Sequence, residues 1–163
     1  MSRPTVCIGV DPGAVNGGVA VVTGDLRAGI SILPFGGGYS TPEERARVRS
    51  NVPAMTHHGR AVLAVERVHP AKMSARDLVA LAEDAGRWLD ALEALPFVVR
   101  TVRPQASAWR KVLGVGVGLK GRAIDDKVRE LLVTRFGLRE LAARGVSGHY
   151  IDAVGIAVAQ LIG

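Results

Sequence analysis

The stretch IGVDPGAVNGGVAVV, Ile8 to Val22, holds an apolar run, a single acid, a tight turn and a second apolar run. The first run reads as a buried strand from Thr5 to Asp11. Pro12 and Gly13 interrupt it, and a Gly/Asn turn leads into a second strand, Gly17–Gly24. Ala28–Phe35 alternates apolar and polar residues and reads as a third strand. Connections this short give an antiparallel meander. Asp11 then stands alone at a strand end. A surface turn tolerates an acid there, and so does a site that binds a metal or a phosphate.

Downstream, the pattern changes to alternating helix and strand. Thr41 is placed as an N-cap with Pro42 at the first helical position, and Pro53 is expected to end that helix. Arg60–Pro70 is an apolar strand with Glu66 at the end of its apolar run. Met73–Pro96 is a long amphipathic helix, with Ser74 and Asp77 resembling a capping box and Pro96 closing it. Phe97–Pro104 reads as a fifth strand, Ala106–Gly114 as a short helix, and Gly114–Gly121 as a loop. Arg122–Gly137 is a helix with Gly137 at its C-cap, and Ser147–Gly163 is a final helix apolar on nearly every side. Three strands followed by this alternation make an α/β protein with a mixed sheet. No repeat or linker divides the chain.

The bulk numbers point to a polyanionic partner. The 163 residues carry a net charge of +6 and a pI near 10.2. The excess is local: Arg100 to Arg144 holds eleven basic residues against four acidic ones. Cys7 is the only cysteine, so no internal disulfide forms, and a reducing, cytoplasmic location is expected. The start, MSRPTV, lacks a secretory pattern, and no apolar run reaches the ~18 residues of a membrane span.

Two strands end in a carboxylate, Asp11 and Glu66. If those strands are neighbours, both acids emerge at one edge of the sheet. His149 and Asp152 lie three apart at the head of the last helix and face the same way. A charge at the head of so apolar a helix is costly to bury without compensation. Hard divalent cations supply it, because they prefer carboxylate oxygens, and two ions can share one bridging carboxylate. Taken singly, each residue has an ordinary reading as turn or cap; the four together point to a site.

IGVDPGAVNGGVAV, AVERV and SGHYIDAVGIAVA, in this order over nearly the whole chain, resemble the RuvC family of Holliday-junction resolvases in the ribonuclease-H-like superfamily. The resemblance implies one ribonuclease-H-like nuclease domain over residues 1–163, a five-stranded mixed sheet with its first three strands antiparallel, flanked by helices. It implies a homodimer that cuts four-way DNA junctions with Mg²⁺. Asp11, Glu66, His149 and Asp152 match the family's metal-binding and catalytic residues. Asp11 would bridge two ions about 4 Å apart. His149 stands where many members carry Asp, and its softer imidazole suits Mn²⁺ as well. The implied products have 5′-phosphate and 3′-hydroxyl ends. Lys111 and Lys120 fall where the family places DNA-contacting lysines, with Arg110 and Arg122 beside them. His69 falls where the family often carries an aromatic wedge that opens the junction. A branch-migration motor as a further partner is left open.

Other readings compete. Another ribonuclease-H-like nuclease would act on RNA–DNA hybrids or structured RNA with the same metals. A non-catalytic junction-binding protein would lack a carboxylate, and none is missing. An actin-like ATPase needs two such domains. Gly116, Gly118 and Gly121 spell a dinucleotide motif, but it comes too late in the chain and between helices. His57 and His58 are adjacent histidines of a polar loop, a pattern that seldom binds metal.

Overall fold

A computed structural model describes residues 5–13, 16–25, 29–32, 41–56, 59–70 and 73–163. Its strands are β1 (Val6–Asp11), β2 (Gly18–Asp25), β3 (Gly29–Ile32), β4 (Ala61–Val65) and β5 (Val98–Val102). They form one sheet in the order β3-β2-β1-β4-β5. β1, β2 and β3 pair antiparallel, while β1–β4 and β4–β5 are parallel. The helices are α1 (Pro42–Thr56), α2 (Ala75–Leu92), α3 (Ala106–Leu113), α4 (Arg122–Thr134) and α5 (Gly148–Ile162). A short 3-10 turn, Arg139–Ala142, precedes α5.

Side chains alternate across a strand, so each strand feeds two layers. Cys7, Ala20, Val22, Val62 and Ala64 pack with Trp109, Leu113, Val128, Leu132 and the buried face of α5. Ile8, Val10, Val19, Val21, Leu63 and Val65 pack on the opposite side with Val48 and Val52 of α1 and with α2. Asp11 shares the parity of Cys7 and Gly9 and so faces the α5 layer. α5 presses very close to the sheet: a Cβ on Gly9 would lie 2.0 Å from the Ala153 carbonyl oxygen. One on Gly18, the cross-strand partner of Asp11, would lie 2.2 Å from that of His149. Only glycine admits the helix there.

Several expected boundaries move. α1 runs through Pro53 to Thr56 instead of ending there. Val48 and Val52 anchor it to the core, and Arg49, whose carbonyl loses its helical donor to the proline, is exposed to water. α2 ends at Leu92, four residues short of Pro96, with the Glu93 N–H bonded to the Leu89 carbonyl. The Ser74 cap is as expected, its Oγ accepting the Asp77 N–H at 3.1 Å. α4 stops at Thr134 with Arg135 as its cap. Gly137 comes later, at φ +73°, where the chain folds back and the Leu138 N–H reaches the Leu132 carbonyl at 3.1 Å. Ala28 and Leu33–Phe35 of the expected third strand, and His57–His58, lie outside the described residues. Among the described residues, no helix is long and apolar enough to cross a membrane.

Candidate active site

The parallel pairing of β1 with β4 sets the first two acids side by side. The Glu66 N–H donates to the Val10 carbonyl at 2.9 Å, continuing the ladder one residue beyond β4. Asp11 and Glu66 therefore leave adjacent strands at the same edge and with the same parity. The Ser147 Oγ caps α5 by accepting the Tyr150 N–H at 3.1 Å, which fixes the helix start over Gly18. His149 and Asp152, one turn of that helix, then reach the same edge.

Each acid has a partner. His149 Nδ1 is 2.8 Å from Asp11 Oδ2. The Trp109 indole N–H donates to Glu66 Oε2 at 2.6 Å. The Arg110 guanidinium lies 3.7 Å from Asp152 Oδ2 and stacks over the Trp109 ring at 5.0 Å. Neither role of Trp109 nor of Arg110 toward the acids was visible in the sequence. The signal was faint: an indole and a guanidinium adjacent in a short helix after β5. Gly155 makes room for the indole, since a Cβ there would meet Trp109 at 2.8 Å.

The acids repel one another. Burial, then the charge of Asp11, lifts Glu66 to about 7, against the Trp109 hydrogen bond and Arg110. Burial, then Asp11, lifts Asp152 to about 7 as well, with Arg110 opposing and Glu66 and Asp125 adding to the rise. The hydrogen bond to Asp11 raises His149 above its ordinary value. Asp125, in the first turn of α4, adds to the raised values of Asp152 and His149, a neighbour sequence reasoning missed.

Three carboxylates and an imidazole are the donors a hard or borderline divalent cation takes. Burial, and after it the charge of Asp11, holds two of the acids near 7, and a bound cation offsets both. By donor type and charge, the residues fit a divalent metal. Among the described residues, however, no three His, Cys, Asp or Glu side chains stand gathered around a common point. The contacts to Trp109, Arg110 and His149 occupy oxygens a cation would use.

The expected DNA contacts divide into two groups. Lys111, Lys120, Arg122 and His69 are exposed. His69, Arg110 and Lys111 line an open cavity of about 760 Å³ together with Gln105, Ser107 and the Val115–Leu119 loop. Arg110 is half-buried, and its Nε is buried with no hydrogen-bond partner. Much of the remaining basic segment is structural. Arg103 Nε donates to the Val65 carbonyl, Arg129 to those of Leu141 and Val146, and Arg135 to that of Leu113.

No protein-family model matches the sequence, and no curated protein matches it. Solved structures do. RuvC of Thermus thermophilus, in complex with a Holliday junction substrate, superimposes with a TM-score of 0.64 at 20% identity, over 94% of this chain and 91% of that one. A further Thermus thermophilus RuvC structure gives 0.63 at 20% identity, over 94% and 92%. The yeast mitochondrial Holliday junction resolvase Ydc2 gives 0.55 at 11% identity, over 98% and 80%. The chain has the ribonuclease-H-like fold of these resolvases.

Proposed function

We propose that the chain is a metal-dependent endonuclease of the RuvC-like resolvase family that resolves four-way DNA junctions. One observation carries the reading: Asp11, Glu66, His149 and Asp152, from three separate elements, converge at one edge of a junction-resolvase fold. Asp11, Glu66, His149 and Asp152 would hold two Mg²⁺ ions, with Mn²⁺ accepted. Bound divalent metal lowers the pKa of an attacking water and offsets charge on the departing 3′ oxygen.

The protein's own part is preorganisation. Trp109 fixes one oxygen of Glu66, and Arg110 steadies Asp152. The tight seat of α5 on Gly9 and Gly18 sets the distance between the strand acids and the helix pair. Lys111, Lys120 and Arg122 would take DNA phosphates, and His69 at the cavity rim would stack on an unpaired base. α2 supports a two-fold dimer in part. Ala85, Trp88 and Leu92 of this helix, with Leu95 just after it, are used in the chain's own core. Leu78 and Leu81 are only partly buried and Val79 is exposed, as is Met73 just before the helix, which leaves this end of α2 for a mate. A dimer would present two sites to the two equivalent strands of a junction and leave ligatable nicks.

The test is cleavage of end-labelled four-way junction, duplex and RNA–DNA hybrid, with and without Mg²⁺, alongside sedimentation for the mass. Paired symmetric nicks in the junction alone are expected. Hybrid cleavage in preference to junction would move the chain to another ribonuclease-H-like activity.

A further inference from the structure

Among the described residues, two charged side chains are buried: Asp11 and, at 2% exposure, Asp84 of α2. Asp84 belongs to the opposite layer from the site and matches none of the motifs above. Its Oδ2 accepts the backbone N–H of Gly13 at 3.0 Å, across 71 residues of sequence. Gly13 sits two residues after Asp11, in the turn by which the chain leaves β1. Its other carboxylate oxygen, Oδ1, is buried with no hydrogen-bond partner. The indole N–H of Trp88, one turn along, also makes no bond within hydrogen-bonding geometry, although its dipole still favours the ionised carboxylate. Burial raises the Asp84 pKa, and the Gly13 N–H, Arg45 and Arg87 act against that rise.

A half-satisfied buried carboxylate is costly, and an apolar residue would fill the same place at less expense. What Asp84 adds is a fixed point for the turn. The turn itself admits nothing else: a Cβ on Gly13 would lie 1.5 Å from the Asn16 carbonyl oxygen. One on Gly17 would lie 2.8 Å from that of Asp11. Asp84 grips this turn from across the fold.

We infer that Asp84 is a positioning residue, which latches the Pro12–Gly13 turn from the α2 layer and so holds the Asp11 carboxylate in place for a divalent cation. The inference rests on the reading of Asp11 as a metal ligand. Outer-shell partners of metal ligands are worth about 10- to 100-fold in affinity or activity, and a latch on the ligand's own backbone belongs to that class. The consequence is specific. An oxygen acceptor is required at position 84, and a negative charge is not.

The measurement is calorimetric titration of the whole chain with Mn²⁺, beside amide hydrogen exchange at Gly13 followed by NMR. In Asp84→Ala, Mn²⁺ affinity should fall about tenfold or more and the Gly13 amide should lose its protection. In Asp84→Asn, whose amide oxygen still accepts the N–H, both should stay within a few-fold of the original chain. Unchanged Mn²⁺ affinity in folded Asp84→Ala would overturn the inference, leaving Asp84 a structural residue only. Loss of Mn²⁺ affinity as large in Asp84→Asn as in Asp84→Ala would overturn it too, since charge would then be the cause. If Asp84→Ala does not fold, the unsubstituted chain and Asp84→Asn decide the matter: a Gly13 amide that exchanges freely in the original chain ends the latch. None of these readouts uses DNA, so a chain that cuts no junction would lose the proposed function without touching this result.

Discussion

The two faces of the sheet are built on different terms. The face toward α1 and α2 is a conventional apolar layer of Ile8, Val10, Val21, Leu63, Val65, Trp88 and Leu92. The face toward α5 has glycine and alanine where the helix crosses, at Gly9, Gly18, Ala153 and Ala157, so backbone meets backbone. A wide side-chain layer tolerates small shifts; a backbone contact does not. The four candidate ligands all belong to the close-packed face, where the positions of strand ends and helix start are locked together. The first way to test this division is at the site itself. Replacing Asp11 by Asn should reduce junction cleavage by more than ~100-fold, beyond the range of outer-shell changes. Junction binding should survive, because it comes from phosphate contacts. An Asp11→Asn protein that cleaves at the original rate would remove this acid from the mechanism.

The packing contrast can be challenged directly with Gly9 and its neighbour Ile8. Gly9→Val must push α5 off the sheet, because the obstruction is the Ala153 carbonyl rather than a flexible side chain. A loss of about 2 kcal/mol is expected. Ile8→Val, on the other face, leaves only a methyl-sized void and should cost about 1 kcal/mol. The sharper part concerns function. Gly9→Val should also weaken Mn²⁺ binding, since α5 carries His149 and Asp152, while Ile8→Val should not. Denaturant unfolding and metal titration of both variants measure the two effects. Equal losses would mean that the two layers yield alike.

A milder effect follows from titration. Glu66 and Asp152 stand near 7 in the folded chain, above their usual carboxylate values, and His149 is raised also. The folded state then binds more protons than the unfolded state from about pH 4.5 up to about 7. Stability contributed by these groups is present at the acid end of that window and is lost as pH rises through the folded values. The melting temperature of the metal-free protein should therefore fall by several degrees across it. Mg²⁺ should flatten the decline, because a cation stabilises the ionised carboxylates. A metal-free melting temperature that rises over this range would contradict the raised values of Glu66 and Asp152.

Much of this was legible before the structure. The period-2 runs and short turns of residues 5–35 gave the meander, and the parallel pairing of β1 with β4 was the condition on which Asp11 and Glu66 would meet. Periodicity reports which residues are buried and on which side. It does not report what an oxygen bonds to. Asp84 sits on the buried side of α2, between Leu81 and Trp88, and reads in sequence as an ordinary helix acid. Its contact with Gly13 spans 71 residues and is made to a backbone group, which leaves no residue pattern. The hydrogen bond from Trp109 to Glu66 was hidden likewise, because an indole on an apolar helix face is read first as core. Helix ends were the other weakness. Pro53 carries a strong local preference that anchoring through Val48 and Val52 overrode, while Gly137 keeps its left-handed turn and only the helix end before it came early.

The smallest expected effect concerns the basic segment, and it extends the same contrast from the core to the surface. Charge alone assigned the whole run from Arg100 to Arg144 to one polyanionic partner. The structure withdraws Arg103, Arg129 and Arg135, whose guanidinium groups bond to main-chain carbonyls, and pairs Lys127 with Glu130 at 2.8 Å. Lys120 is different: it is exposed, in the loop that leads into α4, next to exposed Arg122. A lysine on a phosphate displaces about one counterion from DNA. Lys120→Ala should weaken junction binding several-fold at low salt and lower the slope of log affinity against log salt by about 1. Arg135→Ala, by contrast, should cost stability and leave the slope as it was. Fluorescence anisotropy of a labelled junction over a salt series, without metal to prevent cleavage, gives both slopes. If the two variants shift the slope equally, Arg135, bonded to the Leu113 carbonyl, and Lys120 act alike toward DNA. If Lys120→Ala leaves it unchanged, Lys120 touches no phosphate, and the contacts must come from Lys111, Arg122 or the cavity rim around His69.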